Sequence, residues 1–209
     1  MAVSVIAVNK KIKCVIITHF FFAYFALISR IIFVILETIG GIEMKVLAID
    51  GSTKSTGWSV FENNKLLDYG LITASNKNVL DRIPIIVNEL MGILLKYQPD
   101  DIIMEEVIPE DVNHNQVTYK SLMYLQAMIA IAFHKCGKVL NFYTASEWRK
   151  KCGIHTGRGI KRDEVKAADI KFIADTYNLQ VNDDIADAIC IGYAYTHKTA
   201  ITQHGFIFE

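Results

Sequence analysis

The apolar residues of this chain fall into short runs separated by polar turns, and the runs follow two periods. Val46 to Ile49 is a continuous apolar run that ends on Asp50. A run of strand length without alternation is the pattern of a strand buried on both faces. Gly51 to Gly57 form a turn of small polar residues, and Trp58, Val60 and Phe61 then resume the apolar pattern. Strands are expected at about 45–50, 57–62 and 65–73. Asn63-Asn64 between the last two reads as a hairpin turn, because Asn tolerates positive φ.

The period then changes. Val79, Leu80, Ile83, Ile86, Val87, Leu90, Ile93 and Leu94 recur at helical spacing, which predicts a helix over about 78–97. Pro84 lies in its early turns, and Gln98-Pro99-Asp100 stops it. DIIMEEV, Asp101 to Val107, contains a second apolar run suited to a central parallel strand and ends in Glu105-Glu106. Beyond it the pattern predicts a helix over about 114–136 closed by Gly137 and a strand over 138–142. A short helix capped by Ser146 follows, then a glycine-containing loop over 152–160. Helices over 161–177 and 183–195 complete the pattern, with Cys190 in the core of the last. Three hairpin strands followed by alternating helices and strands are the pattern of an α/β layer fold with a mixed sheet.

Residues 1–43 differ from the rest. Lys10, Lys11 and Lys13 precede an almost wholly apolar stretch, Cys14 to Ile42, broken by His19, Arg30 and Glu37. Basic residues before an apolar stretch resemble a membrane anchor, yet Arg30 cuts the run short of the roughly 20 residues a spanning helix needs. Gly40-Gly41-Ile42-Glu43 can be encoded with GGAGG just before the Met44 codon, the form of a bacterial ribosome-binding site. The expectation is a mis-assigned start, with a real anchor or a buried helix as alternatives, and one domain over 44–209.

Composition adds little. The 22 basic and 22 acidic residues cancel, so only local patches bear on a nucleic-acid partner. Cys14, Cys136, Cys152 and Cys190 are far apart without a C-x-x-C pair, which argues against a disulfide framework and for a reducing, cytoplasmic setting.

Four acids carry the candidate chemistry. Asp50 and Glu105 end the two apolar strands, and Asp184 and Asp187 lie three apart near the start of the last helix, on one face. Asp183 or Asp184 also suits a helix N-terminus electrostatically, but Asp187 falls on the edge of the core face of IADAICIG, where an unpaired acid is costly. Clustered carboxylates repel unless a cation neutralises them, and an all-oxygen donor set selects Mg²⁺ or Mn²⁺. Two such ions about 4 Å apart activate water and stabilise the leaving oxygen of a phosphodiester. Basic residues gather late: Arg149, Lys150, Lys151, Arg158, Lys161, Arg162 and Lys166, with Trp148 beside them. That density is expected to track DNA backbones.

The motifs AIDGSTKSTG, MEEVI, GRGIKRDEV and DIADAICIG occur in this order on the expected elements. In these residues the chain from Met44 to about His197 is similar to the RuvC family of Holliday-junction resolvases, within the RNase H-like superfamily. The resemblance implies an RNase H-like α/β fold, a mixed five-stranded sheet flanked by helices. It implies a crossover junction endodeoxyribonuclease that works as a homodimer on branched DNA, with two Mg²⁺ ions per site and Mn²⁺ as a substitute. Asp50 would bridge both ions, and Glu105, Asp184 and Asp187 would complete their shells. Lys161 would contact the scissile phosphate or orient the attacking water. A membrane partner is expected only if residues 1–43 are native.

The chain departs from the family where an aromatic residue follows the second acid: here Ile108 and Pro109 follow, and then the acidic pair Glu110-Asp111. Ile108 can wedge against a base but offers no π face, so weaker recognition of the crossover is expected. Other readings stay open: an RNase H-like nuclease acting on RNA, or a non-catalytic DNA-binding dimer. A sugar-kinase or actin-like ATPase half also uses an Asp-Gly turn after its first strand, but no second such domain is present in the 209 residues.

Overall fold

In the computed structural model the chain divides into two units at Glu43–Met44. The structure describes residues 44–109 and 116–197, all in the second unit. The readings made for residues 1–43 and for Glu110-Asp111 lie outside the described residues.

Five strands form one mixed sheet in the order β3-β2-β1-β4-β5. They are β1 (Lys45–Asp50), β2 (Ser55–Glu62), β3 (Lys65–Thr73), β4 (Asp101–Glu105) and β5 (Leu140–Tyr143). β1 pairs antiparallel with β2 and parallel with β4, and β4 pairs parallel with β5. The Asn63-Asn64 turn between β2 and β3 has positive φ at both residues, 48° and 67°. The second strand starts two residues before its expected start and the fifth runs 140–143 rather than 138–142.

Five helices among the described residues flank the sheet: α1 (Val79–Tyr97), α2 (Gln116–His134), α3 (Ala145–Lys151), α4 (Arg162–Tyr177) and α5 (Asp183–Thr196). Gln98 ends α1 in the left-handed conformation, as the stop signal predicts. α3 is capped by Thr144 rather than Ser146. The Thr144 hydroxyl accepts from the Glu147 N–H, and Glu147 accepts from the Thr144 N–H, closing a capping box.

The central strand explains the layers. Leu47 and Ile49 of β1 and Ile102 and Met104 of β4 belong to a core with Ile86 and Leu90 of α1 and Leu125, Ile129 and Phe133 of α2. Val46, Ala48 and Ile103 point the other way, into a core with Trp148, Ile173, Ala186 and Ile189 of α3, α4 and α5. Both faces of β1 are thus covered, which is why its sequence shows no polar alternation. Phe133 of α2 is wholly buried in the first core.

Candidate active site

Register and pleat bring the two strand-tip acids together. Ile49 of β1 pairs with Met104 of β4, so the next step of this parallel ladder sets Asp50 beside Glu105. Side chains alternate between faces along a strand. Ile49 and Met104 face α1 and α2; Asp50 and Glu105 therefore face the layer of α3, α4 and α5.

α5 supplies the other two acids. Asn182 caps it, its side-chain oxygen accepting from the Ile185 N–H at 3.0 Å. Asp184 falls in the first turn and Asp187 one turn on, over the same face. Gly57, opposite Asp50 in the β1–β2 ladder, permits this approach. A Cβ at Gly57 would lie 2.0 Å from the Asp184 carbonyl oxygen.

All four acids line one open cleft of about 1100 Å³, together with Arg82, Ile108, Arg149, Arg162 and Lys166. Three of the four acids have a side-chain neighbour of their own. The Ser55 hydroxyl donates to Oδ2 of Asp184. The Trp148 indole N–H donates to Oε2 of Glu105 at 2.7 Å. Oδ2 of Asp187 lies 3.7 Å from Nη2 of Arg149, and Oδ1 of Asp187 is buried without a hydrogen-bond partner. Arg82 ties the turn after β1 to the chain before α1: it donates to the Asn76 carbonyl at 2.9 Å and to the Thr53 hydroxyl at 3.4 Å.

Burial, then the charges of Glu105, Asp187 and Asp184, push the Asp50 carboxyl well above its usual range, and Lys166 opposes them. Burial, then the charge of Asp169, pushes Asp187 up to about 8, against the pull of Arg149. Negative charge is therefore crowded where water screens it poorly, and a bound divalent cation relieves that cost. Among the described residues no three His, Cys, Asp or Glu side chains stand in an arrangement that would hold an ion as they are now turned. Glu105 and Asp184 face the partners just named, so ligation requires side-chain rotation. The donor set fits a hard cation all the same: four carboxylates on three elements, one with a buried oxygen that nothing satisfies.

The basic residues divide differently from expectation. Lys161 caps α4 and is exposed outside the cleft, as are Lys150 and Arg158. Arg162 and Lys166, one turn apart on α4, line it instead, while Lys161 precedes the helix with extended backbone. Arg149 is not on a free DNA-facing surface but ion-paired with Asp169 and near Asp187. Trp148, expected beside DNA, is wholly buried. Ile108 does line the cleft.

Sequence reasoning missed the orienting roles of Ser55 and Trp148 and the ion pair of Asp169 with Arg149. For Asp169 a signal existed. Val165, Asp169 and Ile173 step by four along α4, so the acid lies on the line of the buried Ile173.

The family model "Crossover junction endodeoxyribonuclease RuvC" matches residues 46–197. The crossover junction endodeoxyribonuclease RuvC of Ehrlichia ruminantium (strain Welgevonden) is 32% identical over 164 residues, covering 72% of this chain and 98% of that protein. That of Dictyoglomus thermophilum is 30% identical over 162 residues, 74% of this chain and 99% of that protein. Among solved structures, Thermus thermophilus RuvC in complex with a Holliday junction substrate superposes with a TM-score of 0.57 at 16% identity, covering 72% of this chain and 91% of that one.

Proposed function

The chain belongs to the RuvC family of crossover junction endodeoxyribonucleases, and on that premise we propose that it cuts phosphodiester bonds of branched DNA at the Asp50–Glu105–Asp184–Asp187 cleft. The substrates are four-way junctions and related forms, in recombination and repair. The observation that carries this reading is the pairing of Asp50 with Glu105 at the ends of adjacent parallel strands, facing Asp184 and Asp187 of α5.

The four carboxylates would hold Mg²⁺, two ions per site, with Mn²⁺ as a substitute. When bound, the cations supply activation of water and stabilisation of the leaving oxygen. The chain itself supplies position. The strand backbones of β1 and β4 hold Asp50 and Glu105 rigidly, and Ser55 and Trp148 orient Asp184 and Glu105. Arg162 and Lys166 put positive charge on the cleft wall where a phosphate would lie. Lys150, Arg158 and Lys161, exposed beyond the cleft, suit the arms of a longer duplex.

Two copies would pair through α2. Its exposed Tyr124, Met128 and Ile131 form an apolar face that the described residues do not cover. An isologous pair places two sites in two-fold relation, as a symmetric junction requires. Residues 44–209 would suffice for this activity, which belongs in the cytoplasm with the DNA.

Cleavage of four-way, flapped and linear DNA in Mg²⁺, with Asp50→Asn as control, tests the reading. Cutting confined to branched DNA and lost in the variant is expected. Equal cutting of linear duplex, or cutting of RNA strands in preference to DNA, would count against it.

A further inference from the structure

Asp169 acts on the site described so far only through its charge on Asp187, yet among the described residues it is the least exposed carboxylate. It is wholly buried on α4 and does not line the cleft. Its partner is Arg149 of α3. Nε of Arg149 donates to Oδ2 of Asp169 at 3.0 Å and to Oδ1 at 3.3 Å, and Nη2 lies 3.0 Å from Oδ2. The same Nη2 lies 3.7 Å from Oδ2 of Asp187, in ion-pair range but beyond a hydrogen bond. The other flank of the guanidinium is set by the Trp148 ring, 4.1 Å from its central carbon.

Arg149 is only 15% exposed at its side chain. A guanidinium so enclosed stays charged and must be paired. Two acids compete for it, and the fork geometry goes to Asp169. From this geometry we infer that Asp169 is a positioning residue for the metal site: it holds Arg149 back from Asp187, keeping that carboxylate available to a divalent cation. Without the Asp169 charge, the nearest full charge left for Arg149 is Asp187. A direct Arg149–Asp187 pair would occupy the oxygens that the cation needs. The inference rests on the metal-site reading of Asp187 made above.

The test is Mn²⁺ binding to the full chain without DNA, followed by the electron paramagnetic resonance of free Mn²⁺, with folding checked by circular dichroism. Asp169→Asn is expected to weaken Mn²⁺ binding by about 10–100-fold, the usual cost of losing an outer partner of a ligand. The double variant Arg149→Met/Asp169→Leu removes both charges and replaces a buried ion pair with apolar volume, an exchange that preserves folding in comparable cases. It is expected to bind Mn²⁺ close to wild type, because with no guanidinium there is nothing to hold back. A merely structural Asp169 would not show this rescue. A folded Asp169→Asn that binds Mn²⁺ like wild type overturns the inference. If Asp169→Asn does not fold, the double variant decides: a loss of tenfold or more overturns the inference, and near-wild-type binding supports it. If wild type itself binds no Mn²⁺, the metal-site reading fails and this inference falls with it, an outcome distinct from both.

Discussion

Trp148 and Glu105, 43 residues apart in sequence, are joined by an indole N–H donating to a carboxylate oxygen at 2.7 Å. The indole is wholly buried in the core beneath α5, so its nitrogen is a fixed donor aimed at the tip of β4. A hydrogen bond to a charged group contributes about 1.5–3 kcal/mol. Trp148→Phe keeps an aromatic in the core but removes the donor. Cleavage should slow by about 10–100-fold with the circular dichroism spectrum unchanged, measured as single-turnover rates on a four-way junction. An unchanged rate would show that Glu105 does not need this orientation.

Asp50→Asn, Glu105→Gln and Asp187→Asn should each abolish cutting and leave junction binding nearly intact, since an amide keeps the shape of a carboxylate without its charge. Asp187 carries an added expectation. Its charged form is disfavoured by burial, so the amide should not lower the metal-free melting temperature at pH 8. Gel-shift, cleavage and melting on the same three proteins check both points. Near-wild-type cleavage by any one of them removes that residue from the ligand set.

The apolar face of α2 predicts self-association. Tyr124 is 54%, Met128 44% and Ile131 52% exposed. Sedimentation at micromolar concentration should show a dimer, and Ile131→Glu should return it to monomer while keeping the fold. Phe133, on the opposite side of the same helix, should behave otherwise: Phe133→Ala should cost about 3–5 kcal/mol of stability. A wild-type monomer would remove the proposed pairing.

Ile108 lines the cleft where relatives are expected to carry an aromatic residue. Stacking on an unpaired base is worth about 1–3 kcal/mol, and Ile108 cannot supply it. Four-way and three-way junctions should therefore be cut at comparable rates, and Ile108→Phe should shift the ratio towards four-way junctions. A strong wild-type preference for four-way junctions, or no response to the added ring, would refute this account.

The capping box of α3 links stability to pH. The Thr144 backbone N–H, then its hydroxyl, hold the Glu147 carboxyl below its usual range. A depressed acid contributes stability above its unfolded pKa and loses it as pH falls through the folded value. Thr144→Ala should cost about 1 kcal/mol at neutral pH, lowering the melting temperature by roughly 2–4 °C. The difference from wild type should shrink as Glu147 becomes protonated, at pH below its ordinary 4.5. A gap that is constant down to acid pH would show that the bond from the Thr144 hydroxyl to Glu147 contributes nothing.

The parts of this protein that local sequence determines are those in which neighbouring residues carry the cause. An unbroken apolar run ending on an acid reads as a buried strand with a carboxylate at its tip, and β1 with Asp50 and β4 with Glu105 have that form. The Asn63-Asn64 turn and the Asn182 cap depend on residues within one turn of themselves. Tertiary structure decided which acids and cations share a space. Nothing in KAADIKF names a partner for Asp169; α3 and α4 each pack on α5, and Arg149 comes against it there. Arg162 and Lys166, one turn apart on α4, line the cleft because the rotation of α4 is set by what it buries. Trp148 looked like a DNA contact and is a core residue, since only the packed sheet offers the Glu105 oxygen to its N–H. These contacts join residues 20 and 43 apart in sequence. Their energies depend on distance and burial, which no run of consecutive residues specifies.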